Sequence, residues 1–194
     1  MMLALLTGGS GSGKSEYAEN LAVRLHGEHA ASRKTGDEEQ PGRLIYLATM
    51  RNTGGDGETA ERIRRHRKAR EGKGFVTVEC GRTIGAIPFS SGDTVLLEDL
   101  PNLLSNELYE EEPAEDLHEA VLQPLFQLSE RGVRVVVVTG SVCSDGPSPY
   151  PETERFKKIL SELNCELAMR AEFAAELCAG IPLVLKQRIS PHGL

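Results

Sequence analysis

Met1-Met2-Leu3-Ala4-Leu5-Leu6-Thr7-Gly8-Gly9-Ser10-Gly11-Ser12-Gly13-Lys14-Ser15 joins an apolar run to a glycine-rich turn, and Gly8, Gly13, Lys14 and Ser15 satisfy the phosphate-loop spacing G-x-x-x-x-G-K-[ST]. Polyphosphate oxygens need hydrogen-bond donors at close range. Glycines let the backbone curl so that consecutive N–H groups point inward, while the helix that follows presents its positive end. The apolar run reads as a buried parallel strand, and Glu16 to Leu25 reads as a helix with Ala18, Leu21, Ala22 and Leu25 on one face. In that context the motif predicts nucleotide binding. Gly8, Gly9, Ser10, Gly11, Ser12 and Gly13 would cradle the phosphates, Lys14 would reach the outer ones, and the Ser15 hydroxyl would hold Mg2+.

Outward from this loop the chain alternates strand and helix. Arg43 to Thr49 reads as a second buried strand, which sets Ala48, Thr49 and Met50 at a carboxyl end, where open α/β sheets bind their ligands. Phe75 to Glu79 is a short alternating strand, and Thr94 to Asp99 is an apolar one ending in Glu98 and Asp99. Either carboxylate suits a Mg2+ position opposite the phosphate loop, and Asp99 equally suits the cap of a following helix. Asn102 to Glu112 reads as helical, as do Leu117, Val121, Leu125 and Leu128 with an irregularity at Pro124. Val133 to Thr139 is the clearest strand, rich in β-branched residues.

A long helical pattern then runs through Phe156, Leu160, Leu163, Leu167, Ala174 and Leu177 to a stop at Gly180, and Ile181 to Leu185 reads as an edge strand. Residues 27–42 read as a polar surface loop and 187–194 as a loosely held tail. The pattern predicts one domain over residues 1–194, of the α/β P-loop NTPase class, with a mostly parallel sheet covered by helices on both faces.

A chain of 194 residues is long enough to bury a core, and with few aromatics and no Trp that core must be aliphatic. The net charge of −7 argues against general nucleic-acid or anionic-membrane binding, while leaving room for a local basic phosphate site. No stretch reaches a membrane-spanning length and the N-terminal apolar run is too short for a signal peptide, so a cytoplasmic location is expected. Cys80, Cys143, Cys165 and Cys178 are scattered without a C-x-x-C pair, which suggests neither a zinc site nor a disulfide framework.

The local basic site is conspicuous. From Glu58 to Arg70 a helical segment carries Arg62, Arg64, Arg65, Arg67, Lys68 and Arg70 around His66, with Arg62, His66 and Arg70 in one row. By residue type alone this is either a solvated basic face or a phosphate-binding face that carries a nucleophile.

The order TGGSGSGKS, YLAT, ERIRRHRKAR, VEC, VLLEDLPNLLSNEL, VVVVTG and GIPLVLK resembles the bifunctional adenosylcobinamide kinase and adenosylcobinamide-phosphate guanylyltransferase family, over Met1 to Lys186. R-I-x-x-H, here Arg62, Ile63 and His66, is the most specific part. The resemblance implies that His66 is the guanylylated residue and that Ala48, Thr49, Met50, Arg67, Lys68, Ala69, Arg70, Glu79 and Glu98 contact nucleotide. It also implies a RecA-like fold, Mg2+ dependence, GTP and ATP as nucleotides, a corrinoid substrate and a small homo-oligomer, a trimer.

A neutral imidazole is a competent nucleophile, and neighbouring guanidinium groups disfavour its charged form. The same arginines would neutralise the triphosphate and the departing pyrophosphate. After the fifth strand the chain departs from the family's Asn-Glu-Val-Gly and reads Gly140-Ser141-Val142-Cys143 before a proline-rich stretch; Asn106 and Asn164 match other polar positions of the pattern. The residues by themselves also accommodate a small-molecule P-loop kinase, a paralogue with one of the two activities, and a non-catalytic nucleotide-binding regulator.

Overall fold

Seven strands form one sheet in the order β3-β2-β4-β5-β1-β6-β7. The structure is a computed structural model and describes residues 2–32, 42–50, 70–110, 112–142 and 146–188. Its strands are β1 (Met2–Gly8), β2 (Leu44–Ala48), β3 (Val76–Glu79), β4 (Thr94–Glu98), β5 (Arg134–Val138), β6 (Phe173–Cys178) and β7 (Ile181–Gln187). Its helices are α1 (Lys14–Ser32), α2 (Leu100–Tyr109), α3 (Leu117–Glu130) and α4 (Pro151–Arg170), with a short 3-10 turn at Ile84–Ala86. Every neighbouring pair is parallel except β6 with β7, which are joined by a tight turn at Ala179 and Gly180.

The phosphate-loop strand β1 lies deep in the sheet, between β5 and β6, because Leu3 to Leu6 are apolar on both faces and only an interior strand buries both. One face packs Ala4, Leu6, Leu96 and Val136 under Ala18, Leu21, Ala22 and Leu25 of α1. The other packs Leu5, Val95 and Val137 under Leu103, Leu122 and Leu163 of α2, α3 and α4. Each such aliphatic side chain withdrawn from water contributes roughly 1.5–3 kcal/mol, which lets a mainly aliphatic core, with only Tyr46, Phe89, Phe126 and Phe173 as buried aromatics among the described residues, hold the sheet.

Local sequence explains the helix starts. Asp99 caps α2 by accepting from the Asn102 N–H at 2.9 Å, and Asp116 caps α3 by accepting from the Glu119 N–H at 3.0 Å. α3 continues through Pro124 rather than ending there.

Three expectations are corrected. α1 runs on to Ser32, so residues 27–32 are helical rather than loop. The last long helix ends at Arg170, and Ala174 and Leu177 belong to β6. Between them the Ala171 N–H closes the last helical bond to Leu167 O, whereas the Glu172 N–H already donates to Leu3 O of β1. β6 lies between β1 and β7, so its apolar residues are buried without a strand's alternation, and an Ala-rich run of that kind mimics a helix by spacing. β7 extends to Gln187, which pairs with Phe173, so the tail begins later than expected. Residues 33–41 of the expected polar loop, and Glu58 to Ala69 of the basic helix with His66, lie outside the described residues.

Candidate active site

Gly8 to Ser15 connect β1 to α1 at the carboxyl end of the sheet, and the loop is shaped by close backbone approach. Gly8 has φ +151°, and a Cβ there would lie 2.6 Å from Ser12 Oγ and 2.7 Å from Leu177 O. Gly13 has φ +87°, and its Cβ would lie 3.0 Å from the Gly180 Cα. Only glycine fits at either position. The Gly180 N–H donates to Ser12 O at 2.8 Å, so the β6–β7 turn is fastened to the loop. The Lys14 ammonium donates across the loop to Gly9 O at 3.0 Å.

Ser15 opens α1 and its hydroxyl donates to Glu98 Oε1 at 2.5 Å. This settles which of the two carboxylates at the end of β4 faces the loop. Glu98 points to Ser15, and Asp99 caps α2. The second oxygen of Glu98, Oε2, is buried without a hydrogen-bond partner among the described residues. Burial first, and then the nearby Asp99 and Glu19 carboxylates, push the Glu98 carboxyl up to about 7 against the lowering effects of Ser15 and Lys14. A serine hydroxyl beside an orphaned carboxylate oxygen is the donor set of a hard divalent cation such as Mg2+.

The expected nucleotide contacts at the end of β2 divide by their surroundings. Ala48 and Met50 are half-buried at the rim, whereas Thr49 is fully buried. The Thr49 hydroxyl donates to Asp99 O at 2.9 Å and accepts from the Asp99 N–H at 2.8 Å, so its side chain holds the end of β4 in place. Asn106 of α2 donates to Thr49 O and to Gly81 O, both at 2.9 Å, and so ties the ends of β2 and β3 together. Glu79 is exposed at the tip of β3, opposite Ala48 in the sheet register.

Arg70 is the described end of the basic segment. Its guanidinium lies 3.4 Å from the centroid of the Tyr46 ring, and its Nε and one terminal nitrogen are buried without a hydrogen-bond partner among the described residues. Beside it Lys73 pairs with the buried Glu19 of α1 at 2.7 Å. Burial holds the Tyr46 phenol well above its ordinary range. Tyr46, Glu19 and Lys73 are contributions that sequence reasoning misses. Glu19 stands one helical turn beyond Ser15 and looks like a solvated helix residue until the fold closes over it. Arg62, His66, Arg67, Lys68 and Ala69 lie outside the described residues.

A mostly parallel sheet whose glycine-rich loop faces a carboxylate on a nearby strand defines a P-loop NTPase. A solved ATPase domain has the same fold, aligning over 98% of this chain and 78% of its own with a TM-score of 0.50 at 9% identity. The chain belongs to the cobinamide kinase / cobinamide phosphate guanyltransferase family, whose model matches residues 4–185. It is 29% identical to the bifunctional adenosylcobalamin biosynthesis protein CobU of Salmonella typhimurium over 203 residues, covering 95% of this chain and all of the relative. The same identity and coverage relate it to CobU of Escherichia coli. Among the described residues no helix is long and apolar enough to cross a membrane.

Proposed function

We propose that this enzyme phosphorylates adenosylcobinamide with ATP or GTP and then transfers GMP from GTP, through guanylylated His66, to give adenosylcobinamide-GDP. The observation that carries the reading is the Ser15 to Glu98 hydrogen bond, with Glu98 Oε2 unpaired among the described residues, in a chain of this family. Ser15 and Glu98 would hold Mg2+, which when bound neutralises charge on the phosphate oxygens. Gly8 to Ser15 bind the phosphates through backbone N–H groups, and Lys14 turns from Gly9 O to the outer phosphates.

In the kinase step the side-chain hydroxyl oxygen bonds to the γ-phosphorus, the bridge to the β-phosphate breaks, and the hydroxyl proton leaves to solvent. In the transferase step an imidazole nitrogen of His66 bonds to the α-phosphorus of GTP as pyrophosphate departs. The phosphate of adenosylcobinamide phosphate then displaces His66 from the GMP phosphorus. Arg67, Lys68 and Arg70 stabilise the departing charge, while Ala48, Met50, Ala69 and Glu79 border the nucleotide and Thr49 acts by positioning Glu98. The same reading has the enzyme act in the cytoplasm as a small homo-oligomer, a trimer by family resemblance.

Intact mass spectrometry after incubation with Mg2+-GTP tests the transferase step. The expected result is a GMP-sized, acid-labile and alkali-stable addition to the wild type that His66→Ala lacks. Bound GTP without an adduct would overturn the transferase reading.

A further inference from the structure

Two adjacent polar residues of α2, Asn106 and Glu107, hold the chain where it leaves β2 and β3. Glu107 is buried with both carboxylate oxygens occupied, Oε2 accepting from Arg82 Nε at 3.0 Å and Oε1 from the Thr83 N–H at 2.9 Å. Arg82 also donates to Glu112 O at 2.6 Å, which closes the loop after β3 onto the end of α2. Among the described residues the side-chain partners of Glu107 all lie beyond β3.

Asn106 reaches further. Its amide nitrogen gives both hydrogens to backbone carbonyls, Thr49 O beyond β2 and Gly81 O beyond β3, at 2.9 Å each. Among uncharged side chains only a carboxamide carries two such donors on one atom. From Thr49 the hydrogen bonds continue to the end of β4. The Thr49 N–H donates to Glu98 O at 3.1 Å, and its hydroxyl grips Asp99 by both backbone groups, accepting the N–H at 2.8 Å and donating to the carbonyl at 2.9 Å.

Asp99 in turn caps α2, the helix that carries Asn106. The circuit is therefore closed: the end of β4, α2, the Asn106 amide, Thr49, and Asp99 again. Such a ring fixes the backbone at Glu98 from both sides, where an open chain of bonds would let it swing. The carboxylate needs this support. Its side chain has one partner, Ser15, among the described residues, so the backbone must supply the rest of its aim.

We propose that Asn106 is a positioning residue for the divalent cation, setting the backbone of Glu98 through Thr49 so that the carboxylate meets Ser15 and the ion at once. It acts through Thr49 and not by contact with the ion. The inference rests on the proposed Mg2+ role of Ser15 and Glu98 and adds the residue that keeps their geometry. Outer partners that orient a metal ligand typically contribute about 10–100-fold in metal affinity.

Asn106→Asp, of the same shape, sets an oxygen where both donors stood, and Glu107→Gln perturbs the neighbouring brace as a control. GTP binding is read by equilibrium dialysis of radiolabelled nucleotide across a Mg2+ series and in EDTA, with urea denaturation of the same proteins. In Asn106→Asp the Mg2+ concentration that half-maximally enhances GTP binding is expected to rise at least about tenfold, with binding in EDTA within about twofold of wild type. Glu107→Gln is expected to lose stability yet keep the wild-type Mg2+ requirement within about twofold. Thr49→Val opens the same ring and should raise the requirement too. Adding Asn106→Asp to it should then raise it by at most about threefold more, as expected of residues in one network.

A wild-type Mg2+ requirement in folded Asn106→Asp would overturn the inference alone. An equal rise in Glu107→Gln would do the same, because general looseness of the β3 loop would then be the cause, and so would full additivity in the double variant. If Asn106→Asp does not fold, Asn106→Ala takes its place with the same expectation. Wild-type protein whose GTP binding ignores Mg2+ would overturn the cation site of the proposed function and this inference with it.

Discussion

Glu98 stands at the end of β4 with one oxygen on Ser15 and the other enclosed without a partner among the described residues, an arrangement suited to a cation and costly without one. Its carboxyl is raised to about 7, so the folded protein holds this proton more tightly than the unfolded chain does. Stability from this group is therefore lost as pH rises from the ordinary glutamate range through 7, by up to about 3 kcal/mol. Glu98→Gln is expected to match wild type near pH 4 and to exceed it at pH 8 in urea denaturation without Mg2+. The same variant should lose the extra stability that Mg2+-GTP confers on wild type by mass action, about 2.7 kcal/mol at a hundredfold excess over Kd. Spacing alone left Glu98 and Asp99 interchangeable, because adjacent residues at a strand end differ only in which way the pleat turns them, and only the family resemblance singled out Glu98. Ser15, 83 positions away along the chain, selects Glu98.

The phosphate loop depends on a second element, the β6–β7 turn. Gly180 N–H on Ser12 O fixes the loop from behind, and Gly13 leaves no room for a side chain against the Gly180 Cα. Gly13→Ala is expected to destabilise by about 1–3 kcal/mol, from positive φ and overpacking together, and to abolish Mg2+-GTP binding. Thermal melts with and without nucleotide check both outcomes. The motif itself was legible because its function resides in local backbone geometry, which spacing encodes. Its partner turn was not, because a helix was expected to run as far as Gly180. Ala171 to Cys178 is rich in alanine, and no local signal separates a helix continuing there from a strand buried on both faces.

Across the whole molecule, the two ends of the sheet do different work. At the end away from the loop, the buried Asp93 pairs with Arg43 at 2.6 Å and accepts the backbone N–H groups of Arg43 at 2.7 Å and Ser90 at 3.0 Å. Its backbone carbonyl accepts from Arg134 N–H, so one residue joins the entries of β2, β4 and β5. Although burial opposes it, hydrogen bonding from Arg43 and the backbone holds the Asp93 carboxyl below its ordinary range. That stabilisation is present above the unfolded pKa and is lost as pH falls through the folded one. Asp93→Asn is expected to cost about 2–3 kcal/mol at pH 7 and to flatten the acid limb of the stability profile. GMP-adduct formation by the folded variant should be unchanged, because the carboxyl end of the sheet keeps its geometry. Urea denaturation across pH, with intact mass on the same samples, checks both.

By itself the sequence determined the fold class, the phosphate loop and six of the seven strands, because apolar runs, β-branched residues and glycine spacing express local preferences that survive into the folded chain. It also carried the family's motif order, and with it the reaction. Tertiary structure alone decided that Ala174 and Leu177 form an interior strand, that Thr49 supports β4 through its hydroxyl, and that Arg70 stacks on Tyr46. Burial, orientation and pairing between residues far apart in the chain are properties of the closed sheet, and a linear pattern records only which side chains are available to enter them.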